Sequence, residues 1–384
     1  MAIDAETFAS LIATIERFVA ERLVPAEARV DLEDAVPDEL VAEMRALGLF
    51  GLSIPEDYGG LGLDVAEEVQ IAMVLGRTSP AFRSVFGTNV GIGSQGIVID
   101  GTEAQKRAYL PGMAAGEIIG SFCLTEPDVG SDAAALKTRA ERQGDGYLLN
   151  GVKRYITNAP RADVLTVMAR TDPAEPGARG ISAFLVDAHA PGIRLGKAER
   201  KMGQRGAHVC DVIFEDVVVP ADALIGGREG EGFKTAMKVL DRGRLHMGGV
   251  CVGVARRLIA ESIAFARERK QFGRPIAEFQ LIQAMLADSE TECAAAEALV
   301  LETARRRDGG ARVTKEAAMC KYFASEMVGR VADRAVQIHG GAGYIADYAV
   351  ERFYRDVRLF RIYEGTSQIQ QLIIAREMLR EAEG

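Results

Sequence analysis

The stretch SFCLTEPDVGSD, residues 121–132, lies where the character of the sequence changes. Before it, apolar residues recur at helical spacing between turn residues, a pattern typical of packed helices. After it, short β-branched runs are bounded by glycine or proline, as in VLTVMA (164–169), ISAFLV (181–186) and VIFEDVVVP (212–220). Such runs predict β-strands. The stretch therefore separates a predicted helical domain, residues 1–120, from a predicted β domain, residues 121–229.

Helical spacing returns in the last part of the chain, residues 230–384. Four long segments, 232–268, 278–308, 313–338 and 366–381, are separated by glycine or proline. Long helices with short connections favour an antiparallel bundle. The predicted fold class is therefore α+β, with an N-terminal helical domain, a middle β-barrel or β-sandwich domain, and a C-terminal four-helix bundle.

Three local signals make sharper structural predictions. Asp145-Gly146 and Asn150-Gly151 have the composition of hairpin turns, so a turn is expected at each. Pro111 is expected to end a short helix that begins near Gln105, because proline lacks the N–H that a helix interior uses.

Composition excludes several classes of protein. The 384-residue chain is 48% hydrophobic with a net charge of −9, which predicts a soluble, multi-core protein and argues against nucleic-acid or anionic-membrane partners. Five cysteines without a C-x-x-C pair predict reduced thiols and a cytoplasmic location. The four histidines lack metal-ligand spacing, so no metal site is expected. The opening MAIDAE is unlike a signal peptide, and no apolar run is long enough to span a membrane.

Two segments of the β domain carry groups suited to a cofactor. The loop at 121–132 offers the hydroxyls of Thr125 and Ser131 and exposed backbone N–H groups, which suit a planar polar ring or a phosphate. A surface connector is the simpler interpretation of the same residues. In KRYITN (153–158), Tyr155 and Thr157 share one face of a strand, as a flat heteroaromatic cofactor requires. An ordinary cross-strand pair has the same pattern.

Two further segments of the bundle domain suit an anionic ligand. In RERKQFGRPIAEFQ (267–280), Arg269 and Arg274 are placed to clamp a pyrophosphate, or Gly273 and Pro275 simply divide two helices. QIHGGAGY (337–344) is a glycine-rich turn where backbone approaches a ligand closely. GIGSQG (91–96) matches the dinucleotide-binding fingerprint, but its flanks lack a strand–helix–strand unit, so helix and turn packing is predicted there.

One carboxylate stands out near the C-terminus. RIYEGTSQIQQ (361–371) sets Glu364 between apolar residues and a glycine. Either it is a solvated acid at the start of a helix, where the helix dipole favours it, or it is a buried catalytic base.

Taken together and in order, eight motifs resemble the acyl-CoA dehydrogenases. They are IPEDYGGLG (54–62), CLTEPDVGSD (123–132), YITN (155–158), MGQR (202–205), FEDVVVP (214–220), RKQFGRPI (269–276), QIHGGAGY (337–344) and IYEGTSQIQ (362–370). The resemblance runs from about residue 5 to residue 381. It implies the same three-domain fold, FAD as cofactor, acyl-CoA breakdown as the setting, and a homotetramer.

The resemblance also implies which residues bind the cofactor and the substrate. The flavin half of FAD is expected to contact Phe122, Leu124, Thr125, Ser131, Tyr155, Ile156 and Thr157, with Thr157 near flavin N5. The adenosine diphosphate half is expected to contact Arg269, Gln271, Phe279, Gln280, Gln337, Gly340 and Gly341 from a neighbouring subunit. A further FAD contact is expected at Thr366, Ser367 and Gln368. The acyl-CoA is expected to contact Ser131, Asp241, Arg244 and Gly365, and Arg242 and Gly243 belong to the same segment, which is expected to line the path of the thioester.

By the same resemblance Glu364 is the base that removes the α-proton of the acyl thioester. Family members that carry the base elsewhere have it at the position of Gly243, which has no side chain. The β-hydrogen then passes as hydride to the flavin, and the electrons pass to an electron-transfer flavoprotein. Three alternatives stay open: an acyl-CoA oxidase, a dehydrogenase of carrier-protein-bound acyl groups, and a non-catalytic flavin- or CoA-binding protein.

Overall fold

The computed structural model describes residues 3–175 and 177–383 of the chain. Its first part consists of helices: α1 (Ala5–Phe18), α2 (Val24–Glu33), α3 (Asp38–Ala46), α4 (Val65–Leu75), α5 (Pro80–Val90), α6 (Gln95–Asp100) and α7 (Glu103–Ala115). A short π-helical segment, Val19–Leu23, joins α1 to α2. It lies just before Pro25, whose missing N–H and bulky ring disturb the regular helical ladder.

Helix α7 continues through Pro111, so the predicted end of the helix at this proline is wrong. The helix starts at a capping box formed by Thr102 and Gln105, and Pro111 lies in its interior. Leu110 and Met113 on either side are fully buried. Their burial outweighs the one backbone hydrogen bond that the proline removes, because tertiary packing supplies most helix stability in proteins.

The middle part of the chain forms a single seven-stranded sheet. Its strands are β1 (Gly120–Cys123), β2 (Arg139–Gln143), β3 (Gly146–Thr157), β4 (Val164–Arg170), β5 (Ile181–Asp187), β6 (Ile193–Leu195) and β7 (Val209–Pro220). Their order is β1-β4-β2-β3-β7-β6, with β5 also paired to β4. Strand β1 runs parallel to β4, whereas β3 and β7 form a long antiparallel pair.

One of the two predicted hairpin turns is present and the other is wrong. Strand β2 ends and β3 begins on either side of residues 144–145, as the Asp145-Gly146 signal predicts. Asn150-Gly151 instead lies inside β3, at a shift in the register with β7. The Asn150 side chain accepts a hydrogen bond from the Asp216 backbone N–H at 2.9 Å. The β3–β7 pairing thus accommodates Asn150-Gly151 by a local irregularity, and the strand continues through these two residues.

The last part of the chain is helical again. Its four long helices are α8 (Gly232–Glu268), α9 (Gln280–Asp308), α10 (Thr314–His339) and α12 (Ser367–Glu383), with the short α11 (Ala349–Val357) between the last two. The two short strands β8 (Lys270–Gln271) and β9 (Arg274–Pro275) form a hairpin between α8 and α9. The predicted α+β class, in the order helices, sheet, helical bundle, is confirmed. Within the described residues, no helix is both long and apolar enough to cross a bilayer.

A shared apolar cluster joins the three parts of the chain. It contains Ile97 and Leu110 from the first helices, Phe122 and Met168 from the sheet, and Ala236 from α8. This continuous core holds the sheet against α6, α7 and the start of α8. Strand β1 also lies against α5. That junction is where the candidate site lies.

The MGQR motif connects the sheet region to α11 through a buried carboxyl group. The backbone N–H of Gln204 donates to Asp356 Oδ1, and the Gln204 amide donates to the Asp356 carbonyl at 3.1 Å. The other carboxyl oxygen, Oδ2, is buried without a hydrogen-bond partner in the described part of the chain. Burial raises the pKa of Asp356 to about 6, although the Gln204 N–H and the guanidinium groups of Arg352 and Arg355 oppose the shift.

Asp356→Asn is therefore expected to raise the melting temperature at pH 7–8. The folded protein binds a proton at Asp356 more tightly than the unfolded chain does, so ionising this carboxyl costs stability. In the wild type the free energy of unfolding recovers as pH falls from about 6 to about 4, the range between the two pKa values. The gain from asparagine should be on the order of 1–3 kcal/mol at pH 7–8 and vanish near pH 4. Thermal unfolding across this pH range, with the exposed Asp347→Asn as control, measures it. A gain independent of pH would contradict the assignment.

Candidate active site

A cavity of about 610 Å³ lies where the sheet, helix α5, helix α8 and the segment before α12 meet. The sheet contributes one wall through β1, the loop after it and β3. Its sequence-predicted members are Phe122, Leu124, Thr125, Ser131, Tyr155, Ile156 and Thr157. The bundle contributes the opposite wall, which includes Gly243, Arg244, Glu364 and Gly365.

The Glu364 segment is held in an uncommon backbone conformation. Glu364 has φ 55° and Gly365 has φ 89°, both in the left-handed region. Buried side chains bond the two carbonyl groups: the Lys321 ammonium donates to the Gly365 carbonyl at 2.7 Å, and the Gln370 amide donates to the Glu364 carbonyl at 3.1 Å. A left-handed glutamate persists only where its surroundings hold it, and such residues concentrate at functional sites.

The Glu364 carboxylate points at the backbone of α8. A Cβ atom built at Gly243 would lie 2.5 Å from Glu364 Oε2, so only glycine leaves room for the carboxylate here. That same Oε2 is buried and has no hydrogen-bond partner among the described residues. A buried acceptor without a partner requires an explanation, and at the edge of a cavity the simplest one is a bound reactant.

Gly243→Ala is expected to lower turnover while leaving the fold at least as stable. The new methyl group must push the Glu364 carboxylate aside, and a displacement of about 1 Å can cost on the order of 10²-fold in rate. Alanine is meanwhile favoured over glycine inside a helix by up to about 1 kcal/mol. Steady-state rates and melting temperatures of this variant and of Gly329→Ala, whose Cβ meets only ordinary contacts, separate the two effects. Equal rates in both variants would mean that Gly243 does not set the position of Glu364.

The loop after β1 is fixed by a buried ion pair. The Lys153 ammonium lies 2.8 Å from Glu126 Oε1 and also donates to the Leu124 carbonyl at 3.2 Å. Glu126 accepts two more hydrogen bonds, from the backbone N–H groups of Lys137 and Thr138. Burial lowers the pKa of Lys153. Burial by itself would raise the pKa of Glu126, but the positive charge of Lys153 outweighs this effect of burial, so the pKa of Glu126 is lowered.

Strand β3 is bound to the same loop, which brings the two predicted cofactor segments together. The Arg154 backbone N–H donates to the Thr125 carbonyl at 2.8 Å. Next to it Tyr155 has φ 59°, at an irregularity of the β3–β7 ladder, and its ring is 59% exposed. This irregularity brings Tyr155, Ile156 and Thr157 all to the cavity, although strict alternation would place only two of them there.

Where α8 lines the cavity, the wall carries a polar cluster, of which only Arg242 belongs to a segment that the sequence predicted to be at the site. It consists of Glu68 from α4, Arg83 from α5, and Arg242 and His246 from α8. His246 Nδ1 lies 2.8 Å from Glu68 Oε1, and its Nε2 accepts a hydrogen bond from Arg83 Nε at 3.0 Å. Arg242 Nε donates to Glu68 Oε2 at 3.0 Å. A usable signal did exist: Arg83 is the single charged residue in the apolar sequence of α5, PAFRSVFGTNV.

The charges of this polar cluster are set by mutual contacts. Burial alone would raise the pKa of Glu68, but Arg242 and His246 outweigh it and lower that pKa to about 2. Burial, reinforced by the positive charge of Arg83, lowers the pKa of His246. His246 is therefore neutral, with its proton on Nδ1 facing Glu68 and its Nε2 lone pair facing Arg83.

Other predicted site residues lie away from the cavity. Asp241 does not line it; its carboxylate turns toward α10, where it accepts from Thr314 at 3.1 Å, and it pairs with Arg244 one turn further along α8. Arg244 lines the cavity and Asp241 does not, and a contact of both residues with the acyl-CoA stays a prediction. Thr366, Ser367 and Gln368 lie at the start of α12, and Ser367 donates to Glu326 at 2.6 Å.

The residues expected to bind the adenosine diphosphate half form a second, largely exposed surface. It comprises Arg269, Gln271, Phe279, Gln280, Gln337, Gly340 and Gly341, from the β8–β9 hairpin and the end of α10. Ile276 and Ile338 pack in one apolar cluster beneath it, which joins the two segments. Arg274 lies over the Phe279 ring at 4.3 Å. The structure thus brings these residues together, but on a face separate from the cavity.

Comparisons with known proteins identify the family. Three domain families match in order: the N-terminal domain of acyl-CoA dehydrogenase over residues 6–117, its middle domain over 121–217 and its C-terminal domain over 230–379. The chain belongs to the acyl-CoA dehydrogenase family and is an oxidoreductase of that family.

Individual relatives are similar along nearly their whole length. Acryloyl-CoA reductase (NADH) from Anaerotignum propionicum is 43% identical over 95% of this chain and 92% of that protein. The Caffeyl-CoA reductase-Etf complex subunit CarC from Acetobacterium woodii is 42% identical over 97% of this chain and 98% of that protein. The structure of butyryl-CoA dehydrogenase from Megasphaera elsdenii superimposes with a TM-score of 0.94 at 35% identity, covering 99% of this chain and 100% of that one.

Proposed function

We propose that the protein is an FAD-dependent acyl-CoA dehydrogenase that introduces an α,β double bond into an acyl-CoA thioester. In this proposal Glu364 removes the α-proton, and bound FAD would supply the acceptor for the β-hydrogen and its electron pair. The observation that carries the proposal is the Glu364 carboxylate itself. It belongs to a residue that lines the cavity, it lies against Gly243, and its Oε2 is buried without a hydrogen-bond partner among the described residues.

The cavity fits the isoalloxazine end of FAD. Its sheet wall offers the hydroxyls of Thr125 and Thr157, the flat ring of Tyr155, and apolar surface from Phe122 and Ile156. Aromatic and hydroxyl groups together suit a planar heteroaromatic ring with polar edges. When bound, FAD supplies the hydride acceptor, which no protein side chain can replace.

The second surface, on the β8–β9 hairpin and the end of α10, is proposed to bind the adenosine diphosphate half of FAD from another subunit. None of its residues lines the cavity, and the neighbouring Phe272, on the same hairpin, is 94% exposed. A shared cofactor would make the protein an oligomer, and the resemblance to the family favours a homotetramer. Thr366, Ser367 and Gln368 are retained in this proposal as a further FAD contact.

The chain's own residues provide two features that proton abstraction needs. The fixed left-handed backbone keeps the Glu364 carboxylate at one place, so little conformational freedom is lost when the reaction begins. Within the described residues, the backbone N–H of Glu364 has no hydrogen-bond acceptor. It is thus free to donate to the thioester carbonyl, where negative charge develops as the proton leaves.

The proposed electron acceptor is an electron-transfer flavoprotein. Support comes from the name of the Acetobacterium woodii relative, which places that protein in a complex with Etf. Two of the relatives are named reductases, and the same Glu364 would return a proton to the α-carbon in the reverse direction, by microscopic reversibility. We propose a cytoplasmic role in the breakdown of acyl-CoA compounds, with the direction set by the redox partner.

Anaerobic titration of the purified protein with a panel of acyl-CoA thioesters tests this function. Loss of the oxidised flavin's visible absorbance on adding one class of thioester is the expected result. Rapid reoxidation by air alone would instead indicate an oxidase. Bleaching only by acyl groups on a carrier protein would indicate that variant, and bound FAD with no bleaching by any thioester would leave a non-catalytic protein.

A further inference from the structure

Arg83 brings a positive charge without a close counter-charge to the part of the cavity wall formed by α5 and α8. In the described parts of the chain, its guanidinium has no carboxylate within 4 Å, and its one hydrogen bond goes from Nε to the neutral ring of His246. The two terminal nitrogens, Nη1 and Nη2, make no hydrogen bond there. An arginine in a cavity wall with its planar fork unused is suited to bind a carboxylate through two parallel hydrogen bonds.

Glu364 lines the same cavity, but in the described parts of the chain no carboxylate lies within 4 Å of Arg83 to neutralise it. Glu68 accepts hydrogen bonds from both Arg242 and His246, so its negative charge is balanced by Arg242. Arg244 is balanced by Asp241 on the same helix. His246 orients Arg83 without changing the charge, because its lone pair accepts from Nε and leaves the outer edge of the guanidinium facing the cavity. The polar cluster therefore carries one positive charge in excess.

The backbone of α5 is also shaped around this arginine. A Cβ atom built at Gly87, one turn after Arg83, would lie 2.9 Å from Arg83 Nε and 3.1 Å from its guanidinium carbon. The guanidinium thus lies over a glycine, where any side chain would displace it. Two structural features, Gly87 beneath and His246 beside, fix Arg83 in one orientation.

An unsubstituted alkyl chain would bind poorly against the part of the cavity wall that carries Arg83. Covering a guanidinium with methyl and methylene groups removes its water and supplies no acceptor in return, which is unfavourable. An anionic group at the end of the acyl chain would supply that acceptor. We propose that the substrate is the CoA monothioester of a dicarboxylic acid and that Arg83 binds its free carboxylate, which makes Arg83 a specificity-determining residue. This inference rests on the proposed dehydrogenase function.

The position of Arg83 relative to Glu364 sets the length of the acyl group. Gly243 contacts the Glu364 carboxylate, and His246, which holds Arg83, is three residues further along the same helix. Residues three apart on a helix face are separated by about 5–6 Å. Glu364 and Arg83 therefore contact α8 one turn apart, so a dicarboxylic thioester with a short chain, glutaryl-CoA, is the probe we choose.

Binding and turnover together test the inference. The ratio of kcat/KM for glutaryl-CoA over hexanoyl-CoA should strongly favour the diacid in the wild type. It should fall about 100-fold in Arg83→Met, the scale expected when one partner of a buried charge pair is removed. Gly87→Ala, which keeps the Arg83 guanidinium but displaces it, should also lower this ratio. Arg17→Met, at an exposed arginine on α1 that does not line the cavity, should leave the ratio as in the wild type.

Calorimetric binding of both thioesters to Glu364→Gln, with and without Arg83→Met, separates failure of the inference from failure of the function. If glutaryl-CoA binds more tightly than hexanoyl-CoA, and the difference disappears in Arg83→Met, the inference is supported. If, in addition, no thioester reduces the flavin, only the proposed dehydrogenase function is overturned. Equal preference for the two thioesters in the wild type, unchanged in Arg83→Met, would overturn the inference and leave the function intact.

Discussion

Replacing Glu364 with glutamine is expected to lower the rate of flavin reduction by the substrate about 10²–10⁴-fold, the range typical for loss of a general base. Glutamine preserves the size of the side chain but cannot accept the α-proton. The Glu364 and Gly365 carbonyls keep their hydrogen bonds to Gln370 and Lys321, because these involve only the backbone at positions 364 and 365. The cavity and its cofactor should therefore persist in the variant.

Single-turnover reduction under anaerobic conditions measures this effect without interference from the electron acceptor. The flavin content of Glu364→Gln should equal that of the wild type, which separates loss of chemistry from loss of cofactor. Glu302→Gln, the same change at an exposed position on α9, is the matched control and should react normally. A Glu364→Gln variant that keeps more than half the wild-type rate would show that another group removes the proton.

The second large effect is expected on stability, from Glu126→Gln. Lys153 is fully buried and Glu126 is 5% exposed, so the variant leaves an ammonium group inside the protein without a counter-charge. Removing one partner of a buried ion pair costs about 3–5 kcal/mol. For a domain of this size that corresponds to a decrease in melting temperature on the order of 10 °C. Since the same ion pair holds the Leu124 carbonyl, flavin content should fall as well.

Two companion variants identify the cause of that loss. Glu126→Gln combined with Lys153→Met removes both charges, and much of the stability should return because no unpaired charge stays buried. Asp128→Asn breaks an exposed pair with Lys137 in the same loop and should change stability by less than about 1 kcal/mol. If Glu126→Gln melted like Asp128→Asn, the buried ion pair would not be what fixes the loop.

Local pattern was sufficient for the helices and strands with strong periodicity. The predicted helix 232–268 coincides with α8, and the strands predicted at 164–169 and 181–186 coincide with β4 and β5. Each helix buries one stripe of side chains and each strand buries one face. Because the buried residues of one element are close together in the chain, their spacing can be recognised in the sequence. The order of motifs likewise sufficed to indicate the family, because each motif is a short contiguous segment.

Local signals failed where tertiary packing outweighed them. Pro111 and Asn150-Gly151 both lie inside regular elements, because neighbouring buried residues and a cross-strand partner compensate for them. Helix α11 was not predicted, although Val350, Phe353 and Val357 recur at helical spacing and are buried on one face of it.

The sequence by itself determined the class of fold, the family and the identity of Glu364 as the candidate base. Only the tertiary structure decided which distant residues meet: Gly243 beneath Glu364, Lys153 against Glu126, and Arg83 with His246 and Glu68. The physical reason is that these contacts join segments far apart in the chain, where no local periodicity relates one residue to the other. When a charged side chain is buried it loses its contacts with water, so its energy and reactivity depend on the partners that the fold brings to it.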